Sequence, residues 1–429
     1  MSAAEEAGGF QELLAVCAPL KPFVTDNRVA ADVGGAWMPL PADAAMRAYE
    51  EHGQFVSAVG EAAGEPAVCR RFFCLKPGLF VVDDAVAKAP DGSTVQWTVW
   101  LRGEPLAAGR QLRCSADGQE CICETAWPPD KTLQRGPRDN RGVRFDLPQT
   151  AVAGGTRWLH VLQVRRTADE AAVKTSLAPK DGTLELTLST AEKTFRLTLP
   201  PPDADAGWIT IQGNDAKSLV PRRPLASGVL PHGPDGSRML ERWDSAYRDG
   251  RVPGWDTEAP APELKRVVEA GIIKPCRTVT WGCGTGASDI YLAGKGFDVT
   301  AIDVAPTALA NAQQKAERAG VRVRWVLADV LKLPDLGQFD FLYDRGCYHH
   351  VRHVDAAATV EAIRRLSHPG TRALILSCDG DAPPGVREHH MREDFSKLFE
   401  FEWLRDSGVE NRDGTLRRAS WSLMMRRTE

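Results

Sequence analysis

Apolar and polar positions along this chain change their period twice, and each change marks a boundary. From about His52 to Leu199 short alternating runs predominate, separated by Gly, Pro and Asp turns. Gly78 to Asp84 is one such run, Val95, Trp97, Val99 and Leu101 alternate with polar partners in another, and Trp158 to Val164 forms a third. Leu184, Leu186 and Leu188 face Phe195, Leu197 and Leu199 across a turn at Thr190 to Lys193. Period-two runs spaced about ten residues apart, without helical periodicity between them, predict an antiparallel β-sandwich over residues 52–205. Residues 1–51 carry little pattern beyond a short helix expected at Gln11 to Cys17. From 206 to 240 periodicity is lost among Pro221-Arg222-Arg223-Pro224 and Pro231-His232-Gly233-Pro234-Asp235-Gly236, which read as a semi-extended linker with one last strand at Trp208 to Gln212.

From 241 to 429 strands and helices alternate. A helix at Pro262 to Ala270 leads into an apolar strand that ends at Gly282-Cys283-Gly284-Thr285-Gly286. Helix Ala287 to Lys295, strand Phe297 to Asp303, helix Pro306 to Ala319 and strand Val321 to Leu327 follow. Strand Phe339 to Tyr343, helix Ala356 to Leu366 and strand Ala373 to Cys378 come next, with final strands at Phe399 to Arg405 and Ala419 to Met425. That order predicts a doubly wound α/β, Rossmann-like sheet with ligands at the C-terminal ends of its strands. The fold class is therefore two-domain, β followed by α/β.

Glycines at alternate positions after a buried strand supply the positive φ of a tight strand-to-helix turn and let a ligand lie against backbone. Asp303 closes the next strand 21 residues after Gly282, where a carboxylate meets a ribose hydroxyl pair. A nucleoside-bearing ligand is implied.

On these residues the chain from about Glu241 to its end resembles class I S-adenosylmethionine-dependent methyltransferases, and within them the thiopurine and tellurite-resistance group. The resemblance implies S-adenosyl-L-methionine as cofactor. It matches Gly282, Gly284 and Gly286 to the glycine loop, Asp303 to the ribose-binding acid and Asp329 to the adenine-side acid. Phe339 to Gly346 match the strand-four motif. The segment with Trp243, Tyr247 and Trp255 resembles a cap that closes over the cofactor, where an aromatic face beside a sulfonium gains about 1 kcal/mol. One departure is Thr280, which stands where the group carries an acid that helps hold the cofactor's amino-acid end. The run Arg71 to Val86 with Trp158-Leu159-His160 resembles the β-sandwich of heparinase II/III-type lyases, implying a carbohydrate-contacting or purely structural module. Lyase chemistry is not expected, because 50 upstream residues cannot hold the catalytic toroid of that family.

Methyl transfer from a sulfonium is a displacement that chiefly needs alignment and exclusion of water. The segment Asp344 to His350 leaves strand four where substrate must approach. Asp344, His349 and His350 are its catalytic candidates, a histidine suiting the general-base role through its near-neutral pKa. His353 adds a third imidazole, but adjacent residues point apart, so no metal site is expected. Expected function is methyl transfer to a small-molecule S, O or N nucleophile. The alternative is a catalytically weak cofactor-binding module tethered to a carbohydrate-binding or structural sandwich.

Charge narrows the partners further. With 53 basic against 57 acidic side chains the net charge is −4, which gives no footprint for nucleic acid. No apolar run is long enough to span a bilayer, and the acidic start lacks the pattern of an export signal. Ten cysteines without a CxxC pair fit a reducing, cytoplasmic setting. Cys121 and Cys123 read as two strand residues facing the same way.

Overall fold

In a computed structural model of the chain, residues 20, 24–33, 36–39, 45–62, 67–152, 155–166, 171–201, 207–215, 217–380, 384–411 and 413–428 are described. The chain divides into two compact units, Met1–Pro221 and Arg222–Glu429.

The N-terminal unit is strand-rich and built of antiparallel sheets. One has five strands in the order Gln134–Asp139, Gly142–Thr150, Thr94–Leu101, Val24–Val33, Ala36–Pro39. A second has eight, running from Ala45–Glu51 through Phe55–Ala62, Ala67–Leu75, Leu79–Ala87, Thr156–Arg165, Gln119–Trp127 and Gln111–Ala116 to Leu106–Ala108. Trp97, Val99, Phe145 and Leu147 of the first sheet share one buried cluster with Phe72, Phe80, Val82 and Trp158 of the second. Beside that core lie ion pairs with almost no exposure, Arg70 with Asp84 at 2.6 Å and Asp83 with both Arg71 and Arg157 at 2.7 Å. Buried pairs of this kind fix register more than they add stability. Asp83 and Asp84, which lie in the run resembling a lyase sandwich, are thus occupied as structural partners.

The third sheet is a five-stranded meander from Lys174–Lys180 to Ser218–Pro224. Leu184, Leu186 and Leu188 pair with Leu199, Leu197 and Phe195.

Two expectations are corrected. Residues 24–33, 36–39 and 45–51 are strands, not a patternless leader. Their period is weak in isolation, and Val24–Val33 is specified by its partner Thr94–Leu101 across about 60 intervening residues. The expected helix at Gln11 to Cys17 lies outside the described residues. The stretch read as a linker holds, besides the strand expected at Trp208 to Gln212 and found as Trp208–Gly213, the strand Ser218–Pro224 and the helix Gly233–Asp244. Its prolines break less than their density suggests, because Pro224 ends a strand and Pro234 opens a helix, where no backbone donor is needed.

Among the described residues the C-terminal unit has seven strands: Arg277–Trp281, Asp298–Asp303, Arg324–Leu327, Phe339–Arg345, Ser367–Cys378, Phe399–Glu410 and Leu416–Arg426. They lie in the order third, second, first, fourth, fifth, seventh, sixth. The first five pair in parallel, and the seventh pairs antiparallel with the fifth and sixth. Leu342 belongs to one buried cluster while Phe341 and Tyr343 belong to another, so both faces of the sheet are covered. Parallel strands with two covered faces are buried throughout, as Val279, Thr280 and Trp281 are.

A helix at Tyr348–Val354 follows the fourth strand, where the sequence shows only a loop. Among the described residues, no helix is long and apolar enough to cross a membrane.

Candidate functional site

The first strand delivers the chain into a turn where Gly282, Gly284 and Gly286 have φ of 57°, 56° and 77°. Each glycine is required for a different reason. A Cβ on Gly282 would stand 2.7 Å from Cys347 Cβ, and one on Gly284 would stand 3.2 Å from the Tyr247 hydroxyl. On Gly286 it would meet the Trp325 ring at 2.6 Å. Gly282 and Gly284 line a cavity of about 620 Å³ at the C-terminal strand ends. Gly286, expected beside them, is off the cavity wall and serves close packing of the helix Ala287–Gly294.

Asp303 ends the second strand on the wall of this cavity. Its Oδ2 accepts from the Gly284 amide and its Oδ1 from the Ala305 amide, both at 2.8 Å. Burial raises its pKa, and these amides pull it down. Asp329 also lines the cavity and accepts from the Leu331 amide at 2.9 Å.

The helix Gly233–Asp244 brings Trp243 to the cavity. Asp244 anchors it, accepting from the Thr307 amide at 2.7 Å and from Arg248 Nε at 2.8 Å. Tyr247 packs against Ala305 and Ala308 and lies against Gly284, and Trp255 Nε1 donates to its hydroxyl at 3.1 Å. Arg345 Nη1 holds the Trp255 carbonyl at 2.8 Å, tying this segment to the end of the fourth strand. Aromatic rings then run in sequence along the wall. Trp255 and Trp243 meet edge-on at 6.3 Å, Trp243 and His350 at 4.9 Å, and His350 and His349 lie 4.4 Å apart.

Among the three catalytic candidates the structure separates Asp344 from the two histidines. Both histidines line the cavity, whereas Asp344 does not and has no exposed surface. Its carboxylate accepts from the amides of Gly346, Cys347 and Tyr348 at 2.8 to 3.1 Å, holding the turn into the helix Tyr348–Val354. Burial pushes it up to about 7 against the pull of those amides. It is a loop anchor, because three backbone donors at one short turn demand a single acceptor.

The histidines also differ from each other. The Cys378 amide donates to His349 Nδ1 at 3.5 Å. His350 is half-buried against the Trp243 ring. His353 turns aside to the Gly385 carbonyl at 3.2 Å. Among the described residues, no group of three His, Cys, Asp or Glu side chains could hold a metal.

Among the lining residues that the sequence reading left out as site members are Asp256 and Asp289. Asp256 accepts from the Thr285 hydroxyl at 2.7 Å. Asp289 sits in the first turn of the helix after the glycine loop, with no exposed surface and neither carboxylate oxygen hydrogen-bonded. Nothing in the sequence distinguishes it from an ordinary first-turn acid.

Part of the chain has recognisable relatives. A family model described as a methyltransferase domain matches residues 279–370. A 2-heptyl-1-hydroxyquinolin-4(1H)-one methyltransferase of Mycobacteroides abscessus is 29% identical over 176 residues, covering 38% of this chain and 77% of that protein. A probable S-adenosyl-L-methionine-dependent methyltransferase TehB of Haemophilus influenzae is 24% identical over 112 residues, 26% of this chain and 39% of that one. Among solved structures, Burkholderia thailandensis 1,6-didemethyltoxoflavin-N1-methyltransferase with bound 1,6-didemethyltoxoflavin and S-adenosylhomocysteine is 24% identical. That comparison has a TM-score of 0.37 and covers 48% of this chain and 96% of that chain.

Proposed function

We propose that this chain, whose C-terminal unit is a class I S-adenosylmethionine-dependent methyltransferase domain, methylates an oxygen or nitrogen of a small, flat aromatic acceptor. The observation that carries the acceptor class is the row Trp255, Trp243, His350 and His349 along one wall of the cavity that the glycine loop enters. Flat rings gain stacking and edge contacts against such a wall. The hydroxyquinolone acceptor named for the Mycobacteroides relative has that shape.

S-adenosylmethionine is the methyl donor and supplies an activated methyl on sulfur. The residues fit it: a Cβ would fill the cradle at Gly282 and Gly284, and carboxylates stand at Asp303 and Asp329. In this reading the glycines admit the donor against backbone, Asp303 takes the ribose hydroxyls and Asp329 the adenine amine. Trp243 and Trp255 offer aromatic faces to the cation. His350 takes the acceptor's proton as its oxygen or nitrogen bonds to the methyl carbon. The bond from that carbon to sulfur breaks, and sulfur leaves with the electron pair. His349 packs beside the acceptor on the same wall, and Asp344 acts only by positioning. A sulfur acceptor would need no base.

For the N-terminal unit we propose a β-sandwich acting as a scaffold, a reading supported by the core its two larger sheets share. Contact with carbohydrate rests on strand resemblance alone. The expected cytoplasmic setting rests on cysteine usage and on the relatives' small-molecule chemistry. The test is a panel of hydroxyquinolones, hydroxylated aromatics, heteroaromatic amines, thiols and sugars with labelled donor. Label transfer confined to thiols or sugars would overturn the aromatic O/N reading.

A further inference from the structure

Asp289 is the part of the cavity wall that the reading above does not use. Its side chain has no exposed surface, and both its oxygens lack a hydrogen-bond partner. Thr280, on the first strand and on the same wall, also has an unpartnered hydroxyl. Three polar oxygens that close no full hydrogen bond are thus buried beside one cavity. Leaving such a group unpaired forfeits the hydration it lost on burial, more so if it is charged, so folded proteins rarely tolerate several together. Burial pushes the Asp289 carboxyl up to about 7, while the neighbouring Thr280 hydroxyl pulls the other way. The corner is suited to a compact cation with several hydrogens to donate.

The donor carries two cations, and only one meets that description. A sulfonium has three carbon substituents and no hydrogen to donate, so aromatic faces suit it. An α-ammonium has three donors. Of the other carboxylates beside the glycine loop, Asp303 already receives a backbone amide on each oxygen and Asp256 the Thr285 hydroxyl. Asp289 receives no backbone amide from another residue, and only the Thr280 hydroxyl and its own amide pull on it. Resting on the methyltransferase reading, we propose that Asp289, with Thr280 beside it, binds the α-ammonium of the donor's amino-acid end. The carboxylate that the related group carries on the strand at position 280 has moved to the first turn of the following helix. Thr280 then completes the subsite, and its presence no longer argues for weak cofactor binding.

The test uses the full chain and two thioether ligands without the sulfonium, read by calorimetric binding. S-adenosylhomocysteine retains the amino-acid end, and 5′-methylthioadenosine lacks it. Asp289→Asn should weaken S-adenosylhomocysteine binding by about 30-fold or more, the scale expected when one partner of a buried charged pair is removed. Its 5′-methylthioadenosine binding should change by less than about threefold. Asp289→Ser should behave alike, and it serves if the asparagine variant does not fold. Thr280→Asp added to Asp289→Ser should restore most of the lost affinity by returning the acid to the strand. Unchanged S-adenosylhomocysteine binding, or an equal loss for both ligands, would overturn the proposal while leaving the methyltransferase reading intact. A folded wild-type chain that binds neither ligand would overturn both.

Discussion

The Gly284 amide donates to Asp303 Oδ2 at 2.8 Å, so the acid that closes the second strand also fixes the middle of the glycine turn. One carboxylate thereby links shape to binding. Asp303→Asn would keep one acceptor oxygen and present an N–H to the other backbone donor. We expect a loss of about 1 to 3 kcal/mol in ligand-free stability and at least a tenfold loss in S-adenosylhomocysteine affinity. Urea denaturation and calorimetric titration of the variant check the two effects separately.

Gly284 and Gly286 should respond differently to alanine. At Gly286 the new methyl meets the Trp325 ring at 2.6 Å in a left-handed backbone, so destabilisation of about 1 to 3 kcal/mol is expected. At Gly284 the first atom met is the Tyr247 hydroxyl at 3.2 Å, on the cap segment. Gly284→Ala should therefore weaken donor binding more, relative to any loss of stability, than Gly286→Ala does. Paired melting curves and titrations decide it, and equal ratios would count against the division of labour.

The histidine pair can be split by substitution. His350→Ala should lower kcat by about 10²-fold or more with little change in donor affinity, and should remove the acidic limb of the pH–rate profile. His349→Asn keeps an oxygen that can accept from the Cys378 amide, so it should retain much of the rate. Steady-state kinetics across pH 5 to 9 test both, and the reverse ranking would make His349 the base.

The C-terminal unit was legible because its signals are local. Each buried strand is a short apolar run, each helix has its own period, and the turn glycines lie within eight residues of the strand they end. Val24–Val33 was not legible, since its register comes from a partner some 70 residues away. The helix Tyr348–Val354 has seven residues, three of them histidine, and is set by three amides converging on Asp344 rather than by periodicity. Gly286 was legible as a turn glycine but not as a packing one, because its neighbour Trp325 arrives from the third strand. Asp289 could not be read at all. Its significance comes from what fails to contact it, which no spacing records.

Asp289 also gives the fold a pH dependence whose sign follows from its environment. Burial raises this carboxyl from 3.8 to about 7, so the folded state holds the proton more tightly than the unfolded chain does. Stability from such a group is fully present below about pH 4 and is lost as pH rises toward 7. A shift of that size corresponds to about 4 kcal/mol as an upper bound. Asp344, shifted in the same direction to about 7, adds a parallel loss, and Asp303 nearby raises Asp289 further by like charge. Asp289→Asn removes only its own share, so the ligand-free variant should lose less stability than wild type between pH 5 and pH 8. Binding of an ammonium favours the ionised carboxylate, so S-adenosylhomocysteine should raise the wild-type melting temperature more at pH 8 than at pH 5. Parallel loss curves for wild type and Asp289→Asn would show that another buried acid sets the dependence.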